Sequence, residues 1–377
     1  MRKKIKIENS LGMFDLYKGI AMLLMVFFHI KSLFPSFNVG AMTSIEDVID
    51  KMPYVFRLPI FGRILFSIYV MFPVSMMPSL LIVAGYGYRK RSISKALKLN
   101  AKELLKPYII TALATTLANV VMHYAFFRYL PGALKESGCV FGGFILGLSQ
   151  TTQIGNVMLY ANGPMWYILA MFWALTVYNI IINKLSGKKI PYFVCGVSIV
   201  GWLLSYIKNI PFCLSQGLIG VIYVGIGHYL KKSKFFLREH AIKEKIIILF
   251  TIIVPNFLLG MFGCITEMAD NIYSLGPINY VENGLFGVLV LYLFLRLNGL
   301  RGKITSAIRK IGRYSLFVMS VHTAEMIAIP WYVVAEHFQA RQLFGLVMIY
   351  IIKLLIIFTA CLLIIKTTDY IKRRDSK

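Results

Sequence analysis

Residues 15–29 read D-L-Y-K-G-I-A-M-L-L-M-V-F-F-H, an apolar stretch that begins with an acid and a base and ends in a histidine. An α-helix rises 1.5 Å and turns 100° per residue, so the eleven steps from Lys18 to His29 complete about three turns and rise roughly 16 Å. Both side chains therefore lie on one helix face, together with Asp15, three residues before Lys18. Charged groups inside an apolar span are costly and usually mark a functional site.

The whole chain has the composition of a multi-pass membrane protein. Of its 377 residues, 58% are hydrophobic and 15% are charged, and the mean hydropathy is +0.70. A membrane helix needs about 20 apolar residues, so the sequence predicts an all-α bundle of about ten transmembrane helices, forming a single domain over residues 1–377. The predicted spans are residues 14–34, 60–88, 107–127, 164–182, 191–207, 211–230, 246–263, 279–295, 314–333 and 343–365.

The positive charges alternate between the connections. The net charge is +25, and 31 of the 41 Lys and Arg residues lie in the N-terminal tail, in every second connection and after the last span. Short cytoplasmic loops carry such an excess, which predicts that both termini are cytoplasmic. This distribution favours contact with the lipid bilayer and with a phosphorylated cytoplasmic ligand over nucleic acid.

The densest basic patch follows the second span. Seven Lys and Arg residues lie between residues 89 and 106, and they serve either to fix the topology or to hold the phosphates of a cytoplasmic cofactor. The span before this patch contains Pro73 and Pro78, which predict a kinked or broken helix beside a water-filled path.

The predicted outward connections contain two informative segments. C-V-F-G-G-F-I-L-G-L at 139–148 is too short to span, so we expect it to be re-entrant or interfacial, acting as a lid or packing against the bundle. G-P-M-W-Y-I-L-A at 163–170 places Trp166 and Tyr167 at the membrane boundary, where aromatic residues are common. The cysteines have neither metal-ligand spacing nor a disulfide pattern.

The ninth predicted span carries a second pair of ionisable residues. His322 and Glu325 are three residues apart on one helix face, deep in the predicted bilayer. They either pair with each other or with Lys353 as a structural network, or contribute to a functional site. With His29, such groups suit general base chemistry. Two classes remain open from the residues alone: a transporter with a proton-linked site, and an enzyme that works across the membrane.

Three segments resemble the acyltransferase family 3 of membrane proteins. In that family the first span carries a basic residue, ten intervening positions and a histidine, a spacing that Lys18 and His29 match. The segments at 163–170 and 311–322 also resemble recurring family segments, in the expected order. The resemblance covers nearly the whole chain and agrees with ten spans and two cytoplasmic termini.

The resemblance implies an enzyme that transfers acyl groups other than amino-acyl groups. His29 corresponds to the catalytic histidine, which would deprotonate an acceptor hydroxyl or briefly carry the acyl group, and Lys18 replaces the usual arginine, with Asp15 beside it. The donor is expected to be acetyl-CoA, the acceptor a carbohydrate such as a surface polysaccharide or a lipid-linked glycan, and the location the bacterial cytoplasmic membrane. No metal is expected. Trp166, His322 and Glu325 would contact the substrate or support the base.

Two features differ from the family pattern. Lysine lacks the planar fork of arginine at position 18. The paired-arginine motif of the family is only approximated here, and the resemblance implies that its cofactor-binding role falls to Arg89, Lys90, Arg91, Lys102 and Lys106. The alternative function is a transporter or flippase for a glycan or a lipid-linked intermediate, followed by a structural membrane partner.

Overall fold

The computed structural model describes residues 12–34, 59–207, 210–238, 240–264 and 266–375. The N-terminal tail and residues 35–58, between the first two predicted spans, lie outside these ranges. Within these ranges the chain is about 80% helical with only two short β-hairpins, so the predicted helical membrane bundle is confirmed. The helices are α1 Asp15–Lys31, α2 Ile60–Gly87, α3 Ile93–Asn100, α4 Lys106–Phe127, α5 Leu130–Leu146, α6 Trp166–Lys184, α7 Lys189–Leu204, α8 Leu214–Lys232, α9 Ile242–Ile248, α10 Val254–Met261, α11 Pro277–Arg296, α12 Lys303–Arg313, α13 Ser315–Ala328, α14 Trp331–Glu336 and α15 Gln342–Asp375. The hairpins are β1 Thr152–Ile154 with β2 Val157–Leu159, and β3 Thr266–Glu267 with β4 Ile272–Tyr273.

Seven helical segments of the described part are long and apolar enough to cross a membrane. Two of the other predicted spans correspond to the shorter apolar helices α7 and α13, and the first corresponds to α1. The total of ten spans and the cytoplasmic termini remain predictions. The seven segments are Ile60–Gly87, Ile93–Phe127, Gly163–Lys184, Pro211–Lys232, Ile242–Met261, Pro277–Gly299 and Gln339–Thr367.

Two predicted spans need new boundaries. The third does not begin at 107, because α3 continues into α4 through a π-helical turn, Ala101–Leu105, placed just before Pro107. The wider turn accommodates a proline ring that an α-helix would exclude. The ninth ends at Ala328 instead of 333, because Ile329 precedes Pro330 and adopts an extended conformation. The chain then turns into α14.

The second predicted span is unbroken. α2 continues through Pro73 and Pro78, so the broken-helix alternative is wrong, and a kink at these residues remains a prediction. Two serine side chains bond to carbonyls of the same helix: Ser75 Oγ donates to Phe72 O at 2.9 Å and Ser79 Oγ to Ser75 O at 2.6 Å.

The segment after α4 packs against the bundle. α5 runs back along α4, and the Tyr108 hydroxyl donates to Phe144 O at 2.6 Å. Ser137 Oγ donates to Asn119 Oδ1 at 2.7 Å halfway along the pair. These contacts agree with the packing alternative for residues 139–148. Cys139 is a free thiol, as are the other four cysteines.

Close helix crossings hold the centre of the bundle together. Gly85 on α2 faces the Val224 carbonyl and Gly227 on α8 faces that of Ile82, and a methyl group at either glycine would overlap the opposite backbone. Buried tyrosine hydroxyls bond to carbonyls of neighbouring helices, as Tyr223 does to Tyr280 O at 2.9 Å. A polar group buried without such a partner would be destabilising.

Candidate functional site

A cavity of about 210 Å³ extends along α1 between Lys18 and His29. The predicted shared face of these two residues is therefore the face that borders the cavity. The wall between them is apolar and rich in methionine, a flexible side chain that fits irregular ligands. The lining residues are Lys18, Met22, Met25 and His29 of α1, Met77, Leu80, Val83 and Ala84 of α2, Pro164, Trp166, Tyr167, Ile168 and Met171 at the start of α6, and Ser315, Leu316 and Met319 of α13.

Asp15 holds two cations at one end of this cavity, which we call the Lys18 end. Its carboxylate is buried and accepts from Lys18 Nζ at 2.9 Å and from Arg313 Nε at 3.4 Å. Arg313 comes from the last turn of α12, nearly 300 positions along the chain, and its side chain is 70% exposed. Arg313 is not among the predicted site residues. Its planar guanidinium shares the Asp15 carboxylate with Lys18, whose ammonium lacks the planar fork of arginine.

Two glycines make this arrangement possible. α12 crosses α1 so closely that a methyl group at Gly19 would overlap the Ile308 carbonyl, and one at Gly312 would overlap the Asp15 carbonyl. Because Gly312 immediately precedes Arg313, the crossing fixes where the guanidinium lies. A glycine beside an arginine at the start of a predicted span is the signal that could have revealed this residue.

The opposite end of the cavity, the His29 end, contains two histidines. His29 is exposed and its ring centre lies 5.5 Å from that of His322 on α13, with the rings tilted by 45°. His322 is fully buried, and its Nδ1 lies 2.6 Å from Glu325 Oε1. The geometry thus brings His29, His322 and Glu325 into one cluster.

Glu325 is the centre of a buried polar network. Its Oε2 accepts from Lys353 Nζ of α15 at 2.8 Å and from Trp331 Nε1 of α14 at 2.9 Å. The Lys353 ammonium also lies 4.2 Å from the centre of the Trp331 ring, a favourable cation–π distance. Of the alternatives that the sequence left open, these contacts agree with the network of His322, Glu325 and Lys353, and Trp331 is an additional member.

The five predicted cofactor-binding residues do not form one group. Arg91 lies near the C-terminal end of α6, where its backbone N donates to Asn179 Oδ1 at 3.3 Å and its carbonyl accepts from Asn183 Nδ2 at 2.8 Å. Lys106 lies fifteen residues further on, about 20 Å from the start of the continuous helix. The neighbouring Tyr108 hydroxyl accepts from Asn162 Nδ2 near the other end of α6.

Only part of that set lies at the Lys18 end of the cavity. Tyr86 of α2 packs against Phe14, with ring centres 5.3 Å apart, so the Arg89, Lys90 and Arg91 segment that follows α2 begins close to the start of α1. Lys102 and Lys106 are exposed on the helix that leads away from this end. None of the five lines the cavity. Trp166, by contrast, forms part of its wall.

The described residues offer no cluster of three or more His, Cys, Asp or Glu that could hold a metal ion. The cavity has the Lys18 ammonium at one end, where Arg313 shares its carboxylate partner, and the His29 imidazole at the other. This pattern suits an anionic ligand that enters at the Lys18 end and a proton transfer at the His29 end.

A family model described as an acyltransferase domain matches residues 12–366. The chain belongs to this acyltransferase family. It is therefore a membrane acyltransferase with several membrane-spanning helices, as the resemblance to acyltransferase family 3 predicted. Comparisons with curated proteins and with solved structures gave no match.

Proposed function

We propose that this acyltransferase moves an acetyl group from acetyl-CoA to a hydroxyl of a carbohydrate acceptor, a surface polysaccharide or a lipid-linked glycan, in the bacterial cytoplasmic membrane. The observation that carries the proposal is that one cavity is lined by both Lys18 and His29 in a chain of the acyltransferase family. Arg313 lies beside Lys18, since both bind the Asp15 carboxylate. A donor bound at one end can deliver its acyl group to a base at the other.

The helical rise between Lys18 and His29 is close to the length of the donor's arm. Eleven helical residues separate Lys18 from His29, a rise of roughly 16 Å. The arm of coenzyme A between its pyrophosphate and its sulfur contains about 13 bonds and spans roughly 16 Å when extended, at the advance per bond of an extended chain. Phosphates held at the Lys18 end would therefore place the thioester next to His29.

The charges at the Lys18 end suit a pyrophosphate. Lys18 and Arg313 share one buried carboxylate, so the group carries a net positive charge at this end of the cavity. The Arg89, Lys90 and Arg91 segment adds cations at the same end. Charge-assisted hydrogen bonds from such groups to phosphate are among the strongest in proteins. Asp15 is assigned the role of orienting the two cations.

His29 is assigned the role of general base. One of its ring nitrogens takes the proton of the acceptor hydroxyl while the hydroxyl oxygen attacks the thioester carbonyl carbon. The carbon–sulfur bond then breaks, the new ester leaves with the acceptor, and the sulfur of coenzyme A takes the proton back from the imidazolium. Trp166 and Tyr167 form the wall on the α6 side, where they would exclude water from the thioester.

The test uses the purified protein in detergent or lipid vesicles with radiolabelled acetyl-CoA and a glycan acceptor. His29→Ala should abolish acetyl transfer, whereas His337→Ala, a substitution of an exposed histidine outside the cavity, should leave it unchanged. Movement of the acceptor across the vesicle membrane without consumption of thioester would favour the transporter alternative.

A further inference from the structure

A second cavity, of about 380 Å³, shares no lining residue with the candidate site. It lies between the membrane segment Ile242–Met261 and α11, and we call it the lateral groove. Only 11% of the apolar window of that segment is buried inside the protein, so this side of the bundle faces the membrane. The apolar lining of the lateral groove includes Ile248, Ile253, Phe286, Leu289 and Leu293.

A π-helical turn, Leu249–Ile253, divides the outer wall of the lateral groove into two halves. The half after the turn, α10, is bound to the bundle. Ser67 Oγ of α2 donates to the Phe257 carbonyl at 2.5 Å. Asn256 Nδ2 donates to the Glu282 carbonyl of α11 at 3.0 Å. The half before the turn, α9, has no buried residue, so the two walls are joined at one end and stand apart at the other.

The end where the walls stand apart carries two cations. Lys245 of α9 is exposed and lines the lateral groove. The Arg296 guanidinium of α11 lies 4.8 Å from the centre of the Tyr292 ring, which also lines the groove, and donates to the Tyr292 hydroxyl. Among the described residues neither cation is paired with a carboxylate. The neighbouring Glu244 is bound to Arg238, at 3.3 Å.

The surrounding connections add to this positive charge. Residues 231–245 and 296–313 each contain six Lys and Arg, against Glu239 and Glu244 in the first range and no acid in the second. The alternation of charge along the chain predicts that both connections are cytoplasmic. The positive end of the lateral groove therefore lies at the predicted cytoplasmic surface, where anionic lipid headgroups attract basic segments.

These dimensions and charges fit a phospholipid with an anionic headgroup. From Phe286 to Leu293 the α11 wall rises roughly 11 Å, which accommodates about ten carbons of an extended acyl chain. Basic pockets between membrane helices on the cytoplasmic side bind anionic headgroups. A zwitterionic headgroup carries its own ammonium, so it would supply no net counter-charge to Lys245 and Arg296.

We propose that the lateral groove is a binding site for one anionic phospholipid of the leaflet at its positive end. The lipid phosphate binds Lys245 and Arg296. One acyl chain lies in the apolar part, between the π-helical turn and α11, and fills the gap that the turn leaves. The site is separate from the cavity between Lys18 and His29, so this inference does not rest on the proposed acetyl transfer.

The test uses the full-length protein in detergent micelles with phosphatidylglycerol that carries a photoreactive diazirine in one acyl chain. After illumination, mass spectrometry locates the labelled residues. Competition with unlabelled phosphatidylglycerol or phosphatidylcholine measures the preference for the headgroup. K245Q/R296Q removes both cations of the groove. The matched control is K188Q/K189Q, which removes two exposed lysines at the start of α7, outside the groove.

A second variant tests the apolar part of the site. Leu293 lines the lateral groove and is 57% exposed, so Leu293→Trp places a bulky side chain in the groove without changing the core of the bundle. This variant also decides the matter if K245Q/R296Q is not recovered folded.

In the parent protein we expect the label on α9, on the π-helical turn or on the facing side of α11, with phosphatidylglycerol competing at least tenfold better than phosphatidylcholine. K245Q/R296Q should weaken the apparent affinity for phosphatidylglycerol about 25-fold, because each cation near an anionic lipid contributes about fivefold. K188Q/K189Q should stay within about twofold of the parent, and Leu293→Trp should lose the label in the groove.

Three results would overturn the proposal, since each means that the groove holds bulk lipid only. They are label spread evenly over the lipid-facing helices, equal competition by the two lipids, and parent-like affinity in folded K245Q/R296Q. Parent-like labelling of the groove in folded Leu293→Trp would overturn it as well.

Discussion

Replacement of Lys353 by methionine tests the buried network most sharply. The lysine is 2% exposed and its Nζ lies 2.8 Å from Glu325 Oε2, so Lys353→Met leaves a buried carboxylate without its cation. Removal of one partner from a buried ion pair typically costs about 3–5 kcal/mol. We expect about 3 kcal/mol, the lower figure, because Glu325 keeps His322 and Trp331 as donors.

This loss corresponds to a measurable shift in the melting temperature. An unfolding entropy of about 2.1 cal/mol/K per residue gives a fall of about 4 °C for a chain of this length. The assay is thermal unfolding in detergent micelles, followed by a thiol-reactive dye, since Cys213, Cys264 and Cys361 are free and buried. Lys366→Met, which removes an exposed lysine from the same helix, is the matched control and should change the melting temperature by less than about 1 °C.

The double variant E325Q/K353M separates charge from packing. It removes both members of the ion pair, so no charge remains buried alone, and we expect most of the lost stability to return. A single variant that melts with the parent would refute the calculation, and so would a double variant that is as unstable as the single one.

Three further predictions concern other parts of the molecule. Burial raises the pKa of Asp270, in the connection between α10 and α11, from 3.8 to about 6. Ionisation of this carboxyl therefore disfavours the folded state as the pH rises through this range. Asp270→Asn should stabilise the protein by about 2–3 kcal/mol at pH 7.5 and by almost nothing at pH 3.5, as measured by melting temperature. Gly312→Val should push α12 from α1 at a cost of about 1–3 kcal/mol and raise the KM for the donor, whereas Gly299→Val, at a glycine with open space around it, should do neither. Arg313→Ala should raise the KM for acetyl-CoA about tenfold with little change in kcat. The control is Arg341→Ala, a substitution of an exposed arginine just before α15, which should leave both constants unchanged. Equal effects of the two substitutions would argue against a donor site at Arg313.

Periodicity was sufficient to predict what lies on a single helix. The alignment of Lys18 with His29 follows from eleven residues at 100° each, and it is the face that borders the cavity. The pairing of Glu325 with His322 and Lys353 was also predictable, because charges within a membrane bundle need partners.

Features that depend on packing between distant segments were not predictable. Arg313 reaches Asp15 only because Gly19 and Gly312 allow α1 and α12 to cross closely, and sequence spacing does not show which helices meet. Five of the seven Lys and Arg residues between 89 and 106 are predicted to form one cofactor site, but a continuous helix that begins at Ile93 carries Lys106 about 20 Å from its start. The end of the ninth span was missed although Pro330 gave the signal, because hydropathy continues past the proline.

The most direct measurement for the central claim is acetyl transfer by purified His29→Ala, compared with the parent and with His337→Ala at equal amounts of folded protein. If His29 is the base at the end of the donor cavity, the first variant forms no acetylated acceptor above the uncatalysed rate, and the control forms as much as the parent. Undiminished product from folded His29→Ala would contradict the account.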